Sequence, residues 1–61
     1  MIKTKRIAPG LYAFAFKGAS YEVEQYHDGM WLTFEVRDTY REYMQDYLTK
    51  SAAIADIFHN A

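Results

Sequence analysis

The chain has 61 residues, no cysteine and a formal charge of −1, which leaves room for one small domain and excludes a linked second domain, a disulfide framework and a thiolate metal site. A domain of this size buries only about 60% of its unfolded surface, so its stability has to come from packing or from oligomerisation. No apolar run approaches the ~20 residues that span a bilayer and no signal-peptide pattern opens the chain, so the expected setting is the reducing cytoplasm, away from membranes.

The near-neutral total hides a split. Residues 1–20 carry Lys3, Lys5, Arg6 and Lys17 with no acid, giving +4, whereas residues 21–61 sum to −5. A basic head can serve as a nucleic-acid arm, or head and body can simply attract one another. The second reading is preferred, because three clustered cations give little phosphate affinity. A tight hairpin at Pro9-Gly10 would place Lys3, Lys5 and Ile7 together on the core side, which is costly for two lysines. Residues 1–9 are therefore expected to be a basic arm or a loosely paired edge strand.

Three segments follow that are rich in aromatic and β-branched residues: LYAFAFK (11–17), SYEVEQY (20–26) and MWLTFEV (30–36). Turn residues separate them, so they read as strands of an antiparallel meander. A two-residue loop at Gly18-Ala19 pairs Phe16 with Tyr21. A two-residue loop at Asp28-Gly29 pairs Tyr26 with Trp31 and Val23 with Phe34. These registers gather Tyr12, Phe14, Phe16, Tyr21, Val23, Leu32, Phe34 and Val36 on one face. The other face then holds Glu22, Glu24 and Glu35 around an aromatic corner of Tyr26 and Trp31. Such a corner can be a cross-strand clamp or a binding hot spot.

After Val36 the period changes. Tyr40, Tyr43, Met44, Tyr47, Leu48, Ile54, Ala55 and Phe58 recur at three- and four-residue steps, which predicts a helix over about 39–59, with a weak point at 49–51. Thr39 and Glu42 fit a capping box. The segment TYREYMQ also alternates, so a fourth strand over 39–48 stays open. A helix of that length runs about 30 Å against about 23 Å for a seven-residue strand. Ile54, Ile57 and Phe58 would then overhang the sheet and are the expected interface of a two-fold dimer. The expected fold class is α+β: three strands covered on one face by a C-terminal helix.

Residues that carry chemistry are sparse. His27 and His59 do not stand at metal-ligand spacing, Ser20 and Ser51 have no obvious base, and the glycines form no phosphate loop. Five of the six tyrosines fall on faces assigned to the core, which leaves few to stack on nucleic-acid bases. No catalytic residue, cofactor or metal is expected, and the chain reads as a non-enzyme.

The run LYAFAFKGASYEVEQY, the DGMW turn and the segment TKSAAIADI together resemble the small arm-binding N-terminal domains of phage and transposon tyrosine integrases. That likeness implies three strands followed by a helix, with a basic sheet face that reads DNA; here the exposed face carries Glu22, Glu24 and Glu35 instead. The chain also resembles the short accessory proteins that bacteriophages encode, which implies the cytoplasm of a bacterial host. The expected function is to bind and modulate a host or defence protein that carries a basic patch, through Tyr26, Trp31, Glu22, Glu24 and Glu35. The alternative is a nucleic-acid module using Lys3, Lys5, Arg6 and Lys17, with Arg37 and Arg41 assisting.

Overall fold

Turn chemistry organises the molecule, for which a computed structural model describes residues 4–60. Pro9 and Gly10, the latter with φ of +75°, join β1 (Lys5–Ala8) to β2 (Leu11–Phe16). Proline fixes the first turn position and glycine takes the left-handed second one. Lys17 (φ 52°) and Gly18 (φ 80°) join β2 to β3 (Ala19–Gln25). Two consecutive left-handed residues are the signature of a two-residue I′ hairpin. A wider loop leads to β4 (Trp31–Val36), and residues 37–40 lead to β5 (Arg41–Tyr47), with the Arg37 amide donating to the Tyr40 carbonyl at 2.7 Å. The chain ends in α1 (Lys50–Asn60).

The sheet has five antiparallel strands in the order β1-β2-β3-β4-β5. This corrects the three-strand expectation, and with it the helix over 39–59. The apolar residues that suggested a helical stripe in 40–48 do not line a core. Tyr40, Tyr43, Met44 and Leu48 are all exposed, as befits an edge strand that meets a partner along only one side. Their three- and four-residue spacing arises from a β-bulge: Phe34 pairs with Tyr43 and Thr33 with Gln45, leaving Met44 as the extra residue. The point at 49–51 is the true start of the helix. The Thr49 hydroxyl accepts the Ala52 amide at 3.1 Å, and the Thr49 carbonyl accepts the Ala53 amide at 3.1 Å, so Thr49 is the N-cap.

At β1 a second bulge answers the objection to a tight hairpin. Arg6 pairs with Tyr12 but Ala8 pairs with Leu11, so the register slips by one around Ile7. Lys5 then lies opposite Ala13, on the face away from the helix, and no lysine need enter the core. Lys3 lies outside the described residues.

Two registers differ from expectation, with unequal consequences. The β2–β3 turn uses Lys17-Gly18 instead of Gly18-Ala19, so Phe14 pairs with Tyr21 and Tyr12 with Val23. That is a slip of two, and every side chain keeps its face. The β3–β4 loop has three residues, His27-Asp28-Gly29: the Tyr26 amide donates to the Met30 carbonyl at 2.9 Å, and the Gly29 amide to the Tyr26 carbonyl at 2.9 Å. Gly29 has φ of +87° while Asp28 is not left-handed, so an I′ turn is excluded and the three-residue type takes its place. The Asp28 carboxylate accepts the Met30 amide at 3.0 Å and holds the loop. The register moves by one residue, pairing Val23 with Thr33 and Gln25 with Trp31. A slip of one transfers the whole of β4 to the opposite faces.

The helix packs on one face of the sheet and is about 16 Å long. Phe14, Tyr21 and Val23 from the sheet and Ala53 and Ile57 from the helix form the core, with Tyr12, Phe16, Ala19, Trp31, Tyr47 and Ile54 around it. Thr33 is fully buried beside them. Its hydroxyl donates to the Gln45 carbonyl (2.8 Å) and accepts the Gln45 amide (3.1 Å), which ties the bulge of β5 to β4. The expected overhang disappears with the shorter helix. Ile57 is 2% exposed within its own core and Ile54 packs against that core, whereas Phe58 stacks on Phe16 at 4.9 Å but stays 46% exposed.

Because Ile57 fills the centre of a thin core, Ile57→Ala should cost about 2–5 kcal/mol. Urea denaturation would check this, and an unchanged midpoint would show that the helix does not pack on this face.

Candidate interaction surface on the uncovered sheet face

The face away from the helix carries Leu11, Ala13, Ala15, Ser20, Glu22, Glu24, Leu32, Phe34, Val36, Arg41, Tyr43 and Asp46, by the pairing of the strands. Phe34 stands at its centre and is 6% exposed although no helix covers it. Two side chains of β5 do the covering. The Arg41 guanidinium lies 3.9 Å from the centroid of the Phe34 ring, and Tyr43 meets that ring edge-on at 6.0 Å. From above the ring Arg41 reaches β3, with Nη1 on Glu22 at 3.0 Å and Nη2 on Glu24 at 2.6 Å.

The strand period explains why these groups meet. Glu22 and Glu24 are two residues apart, so both carboxylates point to one face and repel each other. One guanidinium, planar and rich in donors, can satisfy both while stacking on an aromatic ring. Burial works to lower the Arg41 pKa, but the hydrogen bonds to Glu24 and Glu22 outweigh it and hold the group above its ordinary value. Beyond this clamp Leu11, Ala13, Leu32 and Val36 are half-buried, and Tyr43 and Met44 are exposed. The Tyr43 hydroxyl donates to Asp46 at 3.1 Å. Partial burial, then that bond, raises the Tyr43 pKa.

The five residues expected to form one binding patch are divided. Glu22 and Glu24 belong to the uncovered face. Trp31 points to the helix side, 6.1 Å from Tyr12 and opposite Tyr47. Glu35 is also on that side, opposite Tyr21 and Glu42, with Arg37 at 3.3 Å from Glu35 and 3.0 Å from Glu42. The hydrogen bond to Glu42, then the charge of Glu35, raises the Arg37 pKa. Tyr26 sits exposed at the mouth of the loop. Glu22 faces Phe34 across the strands. Sequence reasoning set Phe34 and Tyr43 in the core and gave Arg41 only an assisting role toward nucleic acid, so it missed that the three meet on the uncovered face. The alternation of Arg41 and Tyr43 within TYREYMQ was the available signal.

The basic residues are also scattered. Lys5 is on the uncovered face and Arg6, opposite Tyr12, on the other. Lys17 sits in a turn, 5.4 Å from the Phe16 ring. Arg37 and Arg41 are engaged with carboxylates. On the helix side Lys50 lies 3.8 Å over Tyr12, and the Tyr47 hydroxyl donates to Asp56. Desolvation, reinforced by the Asp56 hydrogen bond, pushes the Tyr47 pKa up to about 12. Among the described residues no group of His, Cys, Asp and Glu could hold a metal ion, and no helix is long and apolar enough to cross a membrane.

No protein-family model, curated protein or solved structure matches this chain. The likeness to integrase arm-binding domains therefore rests on layout alone, and that layout counted three strands where the sheet has five.

Two expected outcomes follow from these contacts. Arg41→Ala should cost about 1–2 kcal/mol after allowance for solvent screening, with Arg41→Lys recovering only part; an Arg41→Ala protein with the wild-type urea midpoint would remove the clamp from the account. An unfolded tyrosine ionises near pH 10, whereas Tyr47 keeps its proton to about 12. The unfolded chain thus loses that proton first, so the stabilisation is complete below about pH 10 and fades as the pH rises to about 12. Tyr47→Phe should show a shallower alkaline loss of stability than the wild type when unfolding is compared at pH 9 and 11.5, and equal slopes would contradict this.

Proposed function

We propose that this chain is a non-enzymatic binding module that contacts another protein through the uncovered sheet face. The observation that carries the reading is that Phe34, Leu32 and Val36 stand on the face without a helix, with Tyr43 and Met44 exposed beside them. An apolar centre rimmed by charge is the usual anatomy of a protein-contact patch. Glu22 and Glu24 share the single cation Arg41 and Asp46 adds a third carboxylate, so the face keeps a net acidic rim and the partner carries cations beside an apolar patch. A phage-type accessory role, in which a small domain modulates a host or defence protein by surface complementarity, fits the chain's size. Nucleic-acid binding is the weaker reading, because the cations among the described residues lie on different faces and form no stripe.

Capture from bacterial lysate after nuclease treatment tests the proposal. A protein retained by the wild type and by Ala55→Glu, on the exposed side of the helix, should be lost with Ala15→Arg or Tyr43→Ala, both on the uncovered face. Retention by all four proteins, or recovery that disappears with nuclease, would refute it.

A further inference from the structure

The two edges of the sheet are built differently. β1 has four residues, KRIA, a bulge at Ile7, and Pro9 directly after it. A short, bulged, cationic strand flanked by proline is guarded against pairing with another strand. β5 has seven residues, REYMQDY, with neither lysine nor proline, and all but Tyr47 are exposed. Its outer backbone groups have no strand beside them, since β5 is the last strand of the sheet. Its one irregularity is the bulge at Met44.

We infer that β5 pairs antiparallel with β5 of a second copy of this chain, about a two-fold axis that passes between Tyr43 and Met44. The bulge and the charges select this register together. Around such an axis Arg41 stands opposite Asp46 of the partner, and Glu42 opposite Gln45 of the partner. In a regular strand Arg41 and Asp46, five apart, would point to opposite faces and could not oppose one another across a dyad. Here Arg41 pairs with Val36 and Asp46 with Leu32. Val36 and Leu32 share a face, so the bulge has brought Arg41 and Asp46 to the same face as well. A bulge that hinders pairing with a straight strand is matched by a strand that carries the same bulge at the same point.

Other registers fit less well. Moving the axis half a residue onto Met44 sets Glu42 against Asp46 of the partner, two residues on opposite faces of the sheet. Moving it onto Tyr43 sets Arg41 against Gln45 of the partner, two residues on opposite faces of the sheet. In the selected register Tyr43 lies beside Met44 of the partner and Met44 beside Tyr43 of the partner, which buries two exposed apolar pairs at the axis. Thioether–aromatic contact adds to that burial. A second copy is therefore the occupant that this edge fits: the strand is complementary to its own reverse in face and in irregularity, and no like charges oppose one another across it. The two uncovered faces would join into one continuous surface of ten strands. This dimer shares Tyr43 and Met44 with the contact patch proposed above, but its seam is the strand edge, so its test reads the mass of the purified chain and not the capture of a partner.

Sedimentation equilibrium over a range of concentrations tests it, with circular dichroism to confirm folding of each variant. The wild type and Ala55→Lys should move from monomer mass toward twice that mass as concentration rises. Met44→Lys sets a lysine near its symmetry mate at the axis, and Asp46→Arg sets an arginine against Arg41 of the partner. Each should raise the concentration needed for dimer by about ten-fold or more. Hydrogen exchange should show outer β5 amides gaining protection as the wild type is concentrated. A wild type that stays monomeric throughout, a dimer indifferent to both substitutions, or a dimer that leaves β5 exchange unchanged would each overturn the inference.

Discussion

The three-residue loop at His27-Asp28-Gly29 is the constraint on which the molecule's two faces depend. Side chains in a strand alternate, so the loop's length decides which half of β4 meets the helix. With three residues, Thr33 goes under the helix, with its hydroxyl satisfied by the Gln45 backbone, and Phe34 goes to the uncovered side. With two, Leu32, Phe34 and Val36 would have joined the core and the uncovered face would have been largely polar. The Asp28 carboxylate on the Met30 amide and the left-handed Gly29 hold that choice.

The rest of the structure answers to this assignment. A helix of 11 residues covers only Phe14, Tyr21, Val23 and their neighbours. The apolar residues sent to the other face need a different cover, and β5 provides it. Arg41 reaches over Phe34 to the two carboxylates of β3, and Tyr43 closes the ring's edge. An exposed ion pair contributes little by itself. Here the guanidinium also shields an aromatic ring and separates two like charges, so one side chain performs three tasks. The same strand ends in Tyr47, whose hydroxyl bond to Asp56 ties the sheet to the helix.

What could be read from the residues depended on whether an error was even or odd. The β2–β3 turn is displaced from Gly18-Ala19 to Lys17-Gly18, but a slip of two keeps Tyr12, Phe14 and Phe16 on the core side, so that half of the core was legible. Asp28-Gly29 is the strongest short hairpin signal in the chain, and it pointed to a two-residue loop; the added His27 reversed β4. The helical period of residues 50–59 was legible, but it pointed to a cap at Thr39 and Glu42 and to Ala55 on the apolar side, whereas Thr49 is the cap and Ala53 and Ile57 are the buried pair. Residues 40–48 misled because a bulge at Met44 breaks strict alternation and leaves three- and four-residue spacings that imitate a helix. The candidate site followed these errors. Glu22 and Glu24 were placed on the uncovered face, whereas Trp31 and Glu35 moved with β4 and took the expected aromatic corner apart.

The central claim is that Phe34 lies under Arg41 and Tyr43 on the face without the helix. Proton NMR in solution, with nuclear Overhauser contacts assigned to the Phe34 ring, tests it most directly. Contacts are expected from that ring to the side chains of Arg41 and Tyr43 and none to the methyl groups of Ala53 or Ile57. Contacts between Phe34 and those helix methyls would contradict it, returning β4 to the opposite register and removing the uncovered apolar face.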